Sequence, residues 1–139
     1  MITLSREHVV EMYAHAREAA PRECCGLIGG ASDTGRARTV YRLRNRAADA
    51  LVAYEAAPEE LFAAQRSMRQ RGEHLLAIYH SHPRSAVPLP SETDVRLAYY
   101  PAAIYFIIGL SGSESALGAF RLSERRGDWE RAEYAIADE

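Results

Sequence analysis

Lysine is missing altogether. All 17 basic residues among the 139 are arginine, a bias that, with the abundant alanine, fits a GC-rich genome. Charge of either sign is not in excess, with 19 acids and a formal net charge of -2. No basic block or aromatic-interleaved basic stretch stands out, which excludes the usual electrostatic footprint for a phosphate backbone, so no nucleic-acid partner is expected. Long hydrophobic runs are also absent. Met1-Ile2-Thr3-Leu4 gives way at once to polar residues and nothing later approaches spanning length, so neither a signal peptide nor a membrane segment is read, and a cytosolic protein is expected. Cysteine is limited to the adjacent Cys24 and Cys25, which cannot cross-link distant segments and suit a reducing compartment. Repeats, low-complexity tracts and linkers are lacking too, and the length fits one domain over residues 1–139.

What is present reads as a mixed α/β chain, α+β-like in its ordering. Ser5 can cap a helix over 5–19, in which Val9, Met12, Tyr13 and Ala16 follow the helical spacing and which ends before Pro21. Cys24 to Gly30 is short and apolar. After a Gly, Ser and Asp turn, Thr39, Tyr41 and Leu43 alternate with Arg38, Val40, Arg42 and Arg44, which predicts a hairpin. Arg38, Arg42 and Arg44 read as the solvated face of an edge strand, with docking of an acidic partner as the alternative. Pro58-Glu59-Glu60 suits a helix start, and that helix should end at Gly72. Leu75 to Tyr79 then reads as a strand leading into His80, and Ile104 to Leu110 as a buried strand. Strands are also expected near 116–122 and 129–136. The sum is a mixed sheet of about six strands packed with two to three helices.

Chemistry concentrates at the end of the strand that leads into His80. His80 and His82 are two apart, so their imidazoles leave one face of a strand and can grip one ion together. Ser91 and Asp94 are three apart behind Pro88 and Pro90, and can share one side of a helix's first turn. Two imidazoles and a carboxylate suit zinc and leave a fourth tetrahedral position open, as catalytic zinc requires. Each element alone has a plainer explanation. Ser-x-x-acid is also a helix-capping pattern, a histidine pair at a strand end needs no metal, and Glu23 by itself reads as a solvated loop acid.

Their order and joint spacing change the reading. Glu23, then His80-Ser81-His82-Pro83, then Ser91-Glu92-Thr93-Asp94 resembles the signature of the JAMM or MPN+ metallopeptidases: a Glu, His-x-His-Pro and Ser-x-x-Asp. Pro21-Arg22-Glu23-Cys24-Cys25-Gly26-Leu27 is similar to the Pro-x-Glu-x-Cys-Gly-x stretch of the short bacterial and archaeal members. One departure is present. Eight residues, Pro83 to Pro90, separate His82 from Ser91 where seven are common, and the three prolines among them predict an outward bulge that leaves both ends in place.

The resemblance implies a cytidine-deaminase-like MPN fold and one zinc ion per chain, held by His80, His82 and Asp94. It implies that Glu23 is the general base and that Ser91 stabilises the oxyanion. Amide cleavage does need a group that takes a proton and delivers it to the leaving amine, which a carboxylate beside a metal can do. The implied substrate is an isopeptide or peptide bond after the C-terminal Gly-Gly of a ubiquitin-like or sulfur-carrier protein, with segments 47–57 and 84–90 as groove walls. A lysine-free enzyme could not itself be tagged on a side chain. A non-catalytic MPN-type scaffold and a zinc amidase for small molecules stand as alternatives, and homo-oligomerisation stays open. Cys25 is expected to pack as a small hydrophobe, whereas Cys24 leaves room for a redox or metal role. His8, His15 and His74 lack ligand-like spacing. Gly30 to Gly35 has the glycine spacing of a phosphate loop but is followed by Arg36-Ala37, so a turn is expected.

Overall fold

The computed structural model describes residues 1–137; residues 138 and 139 of the expected domain lie outside the described residues. Strand β1 (Ile2–Ser5) runs directly into helix α1 (Arg6–Ala19). Ser5 caps that helix as expected: its hydroxyl accepts the His8 N–H at 3.2 Å, and the His8 ring nitrogen Nδ1 accepts the Ser5 N–H at 3.1 Å. Met12 and Ala16 bury one face of α1 against the sheet. β2 (Cys25–Gly30) and β3 (Ala37–Leu43) form the predicted hairpin, and the glycine-spaced segment is its turn, with Gly35 at φ +74°. α2 (Pro58–Gln70) begins at its proline, and β4 (His74–His82) extends through both histidines.

After β4 come the short helix α3 (Glu92–Arg96), then β5 (Ile104–Gly109), β6 (Ala116–Ser123), β7 (Asp128–Arg131) and β8 (Tyr134–Ala137). The main sheet has six strands in the order β3-β2-β4-β5-β6-β7. Two features of the strand layout were not anticipated. The stretch expected as one strand over 129–136 is two: β7 pairs with β6, a ladder that the Ala132 N–H extends by donating to Ala119 C=O at 2.9 Å, and β8 then pairs in parallel with β1. β1 itself went unpredicted, since four residues alternating Ile2 and Leu4 give little periodicity to read.

Both faces of the sheet are covered. Met12, Cys24, Ile28, Tyr79 and Phe106 pack on the α1 side, and Cys25, Leu27, Met68, Ile78 and Tyr105 on the α2 and α3 side. β2 and β5, buried along their whole length, therefore read as continuous apolar runs. Gly26 is fixed by this packing, because any side chain there would run into the Tyr79 ring directly across from it. Arg38, Arg42 and Arg44 are exposed along the edge strand as expected, and two of them also make ion pairs. Arg42 joins Glu11 at 2.7 Å and Glu18 at 3.0 Å on α1, and Arg44 joins Glu59 at 2.8 Å on α2, so they tie both helices to the sheet edge.

One connection positions the chemistry. β4 and β5 are the parallel pair of the main sheet, and parallel neighbours need a long crossover. That crossover, residues 83–103, carries α3 and brings its first turn over the C-terminal end of β4.

Candidate active site

β4 ends with His80, Ser81 and His82 alternating across the sheet. Ser81 points to the α1 side, where its hydroxyl accepts the Cys24 N–H at 2.8 Å. That bond stitches β4 to the residue next to Glu23. The two imidazoles leave together on the other side, with their Nε2 atoms 3.1 Å apart. Asp94 meets both: Oδ1 lies 3.1 Å from His80 Nε2 and Oδ2 lies 3.0 Å from His82 Nε2. Glu23 arrives from the loop before β2, and Glu23, His80 and His82 each offer a donor atom, all within 4.8 Å of one another. The structure thus brings together four of the five residues expected at the site.

Ser91, the fifth, contacts Asp94. Its N–H donates to Asp94 Oδ2 at 2.9 Å and its Oγ accepts the Asp94 N–H at 3.0 Å. Capping and clustering, opposed in the sequence, are both true here: the carboxylate that caps α3 is the one that meets the histidines. The 83–90 loop lies between the histidine pair and α3. Ser85 is tied at both ends, to His82 C=O at 3.0 Å and to the Ser111 N–H at 3.2 Å, Pro88 is buried, and Ala86 and Val87 between them are exposed.

The donor set passes a simple test of fit for a metal. A tetrahedron of ligands roughly 2.0–2.1 Å from an ion has edges of about 3.3–3.4 Å, and the separations of 3.0–3.1 Å among the two Nε2 atoms and the Asp94 oxygens need only slight opening. Electrostatics agree. Burial pushes the His80 pKa down against the pull of Asp94, favouring a neutral ring whose lone pair is available. For His82 burial also works downward, but the hydrogen bond and charge of Asp94 outweigh it and the pKa rises. Burial alone would raise the Asp94 carboxyl, yet His80, His82 and the Ser91 N–H hold it well below the usual carboxylate range. Glu23 goes the other way: burial, with the nearby Asp94 charge and against His82, pushes it up to about 7. Among the described residues, two buried side-chain atoms lack a hydrogen-bond partner, Glu23 Oε1 and His80 Nδ1, and an unpaired buried polar atom is costly.

Two residues that the sequence reading did not single out complete the site. Tyr54 stacks on the His80 ring, with centroids 4.4 Å apart and planes inclined by 24°. Asn45 is hydrogen-bonded to the Glu23 main chain and to the loop that carries Tyr54. The available signal was Tyr54 as the lone aromatic of residues 46–57. Beside Tyr54 and Asp94 lies a mainly apolar cavity of about 390 Å³ walled by Leu61, Leu97, Tyr100 and Tyr105. Residues 53–56 and 97–100 contribute to its lining, and 84–90 does not. A more polar cleft, with His15, Arg22 and Arg46, reaches Glu23 from the α1 side. The thiols of Cys24 and Cys25 are buried and raised to about 11 and about 12 by burial, which leaves them protonated and supports packing for both.

A family model of prokaryotic homologues of the JAB domain matches residues 5–123, a span that includes every residue of this cluster. The chain belongs to the prokaryotic JAB family. Among its relatives, the desampylase of Haloferax volcanii is 34% identical over 119 residues, covering 83% of this chain and 85% of that protein. A probable TtuB-protein conjugate cleaving protease of Thermus thermophilus is 37% identical over 107 residues, covering 77% and 69%. The solution structure of a protein from Desulfitobacterium hafniense, 34% identical, superposes with a TM-score of 0.88 over 100% of this chain and 94% of that one. No helix among the described residues is long and apolar enough to cross a membrane.

Proposed function

We propose that this prokaryotic JAB protein is a zinc-dependent peptidase. It cleaves the isopeptide or peptide bond after the C-terminal Gly-Gly of a ubiquitin-like or sulfur-carrier protein, acting in the cytosol with the whole chain as one catalytic domain. The convergence of His80 Nε2, His82 Nε2 and the Asp94 carboxylate within 3.0–3.1 Å, with Glu23 alongside, carries this reading. Two relatives whose names describe a desampylase and a conjugate-cleaving protease support the substrate class.

His80, His82 and Asp94 would hold one zinc ion. Zinc, when bound, supplies Lewis-acid polarisation of the scissile carbonyl and acidifies water. Glu23 is the base and not a fourth ligand: Asp94 is the acid in direct contact with both rings, whereas the Glu23 carboxyl stands beside them with its Oε1 free of any hydrogen-bond partner among the described residues. A group so poised can take a proton from the attacking water and pass it to the leaving amine. Ser91 uses an oxygen lone pair on the Asp94 N–H, so its own O–H is free to donate to the oxyanion.

The test is incubation of the purified protein with a Gly-Gly-ending carrier protein joined either to a peptide extension or to a lysine side chain. Cleavage after Gly-Gly, stopped by a chelator and restored by zinc, is expected. The cavity of about 390 Å³ beside Asp94 favours one second reading, a zinc amidase for small molecules, since that volume suits a compact ligand. Hydrolysis of small acyl amides with both carrier substrates untouched would replace the first reading by the second, and binding of the carrier without any hydrolysis would make the protein a scaffold.

A further inference from the structure

We infer that Asn45 is a positioning residue for the reaction, joining the base Glu23 and the aromatic wall Tyr54 into one rigid unit. Its amide uses both ends. Nδ2 donates to Glu23 C=O and to Ala53 C=O, each at 2.9 Å, while Oδ1 accepts the N–H of Ala47 at 2.9 Å and of Glu55 at 3.0 Å. Two donors and one acceptor oxygen are thus fully engaged, an uncommon degree of satisfaction for a half-buried side chain.

The partners make this more than a loop brace. Ala53 and Glu55 flank Tyr54, so the same side chain that grips the Glu23 carbonyl also fixes the backbone on both sides of the ring stacked on His80. The other end of Glu23 is tied to the same loop, its N–H donating to Ala50 C=O at 2.7 Å. Further out, Arg46 N–H donates to Glu55 C=O at 2.8 Å and Ala57 N–H to Arg44 C=O at 3.0 Å, closing the base of the loop. Glu23 sits outside regular structure, between α1 and β2, and its Oε1 has no partner among the described residues. Its main chain is therefore the available handle for aiming the carboxylate. Residues that orient a reacting group earn their effect through geometry, and a misplacement of about 1 Å can cost roughly 100-fold in rate.

This inference rests on Glu23 acting as the base, and its test separates the two. Asn45→Asp keeps the volume and the acceptor for Ala47 and Glu55 but loses the donors to Glu23 and Ala53; Asn45→Ala loses all four bonds. Cleavage of the Gly-Gly-linked carrier is measured as kcat per bound zinc, with KM, zinc content, and hydrogen exchange at the Ala47 and Glu55 amides. Both variants should lower kcat per bound zinc by about 10- to 100-fold with KM within about twofold and zinc retained. Asn45→Ala alone should expose the Ala47 and Glu55 amides to exchange. Unchanged kcat in Asn45→Asp, or a fall that merely tracks loss of zinc or of folded protein, overturns the positioning role. If Glu23→Ala itself retains full activity, the catalytic reading fails, while the exchange result still decides whether Asn45 holds the loop.

Discussion

At the start of α1, Ser5 exchanges two hydrogen bonds with His8, and at the start of α3, Ser91 exchanges two with Asp94. The local device is the same in both, a serine followed three residues on by a side chain that reaches back. At α1 the returning ring is half-exposed and its other nitrogen lies 3.2 Å from the Arg38 carbonyl on the edge strand. At α3 the returning carboxylate is buried and faces two imidazoles at 3.0–3.1 Å. Capping is a property of the segment, whereas chemistry is a property of what the fold sets opposite it. The parallel β4–β5 crossover sets the histidine pair opposite Asp94, and among the described residues nothing comparable faces His8.

Separating the two caps experimentally starts with Asp94→Asn, which keeps an oxygen for the cap but removes the charge. Bound zinc should fall to substoichiometric levels and cleavage should drop by more than the roughly 100-fold typical of a partner outside the ligand shell. Full zinc occupancy in that variant would reduce α3 to the same status as α1. Ser91→Ala comes next, with kcat expected to fall about 100-fold or more, as for one lost oxyanion donor, and stability by about 1 kcal/mol. Ser91→Thr, which keeps the hydroxyl, should recover most of both. A stability loss with kcat unchanged would show that Ser91 only caps.

The neighbourhood of α3 should also respond to pH when zinc is stripped. Glu23 is raised from 4.5 to about 7, so the folded protein holds its proton where the unfolded chain has released it. Its stabilising contribution is complete below pH 4.5 and is lost as pH rises through about 7. Thermal midpoints of the metal-free protein should fall over that window more steeply than those of Glu23→Gln, and parallel curves would mean that the carboxyl is not raised. The smallest effect belongs to α1: Ser5→Ala should cost about 1 kcal/mol of stability and leave kcat per folded molecule unaltered.

Much of this molecule was legible from residue pattern. α1, α2, the hairpin and the β4 and β5 strands announce themselves through capping residues, Pro58 and apolar runs, because those signals are local. The site was legible only through the order of Glu23, the histidine pair and Ser91 to Asp94. Spacing alone did not separate a cap from a ligand, since Asp94 does both. Asn45 and Tyr54 escaped because their roles depend on where an irregular loop folds, and no periodicity records that Ala53 and Glu55 will bracket an aromatic ring against His80. The division of 129–136 into β7 and β8 escaped for a related reason: strands of four residues take their partners from the tertiary fold.

Glu23 and Asp94 are the two acids of the cluster, and their division of labour is the point on which the mechanism turns. Bound zinc and carrier cleavage should be measured together in the native protein and in Glu23→Ala. One zinc per chain in both, with cleavage lost only in the variant, is the predicted result. Loss of zinc in Glu23→Ala would make Glu23 a ligand, and cleavage undiminished at full zinc would remove it from the reaction.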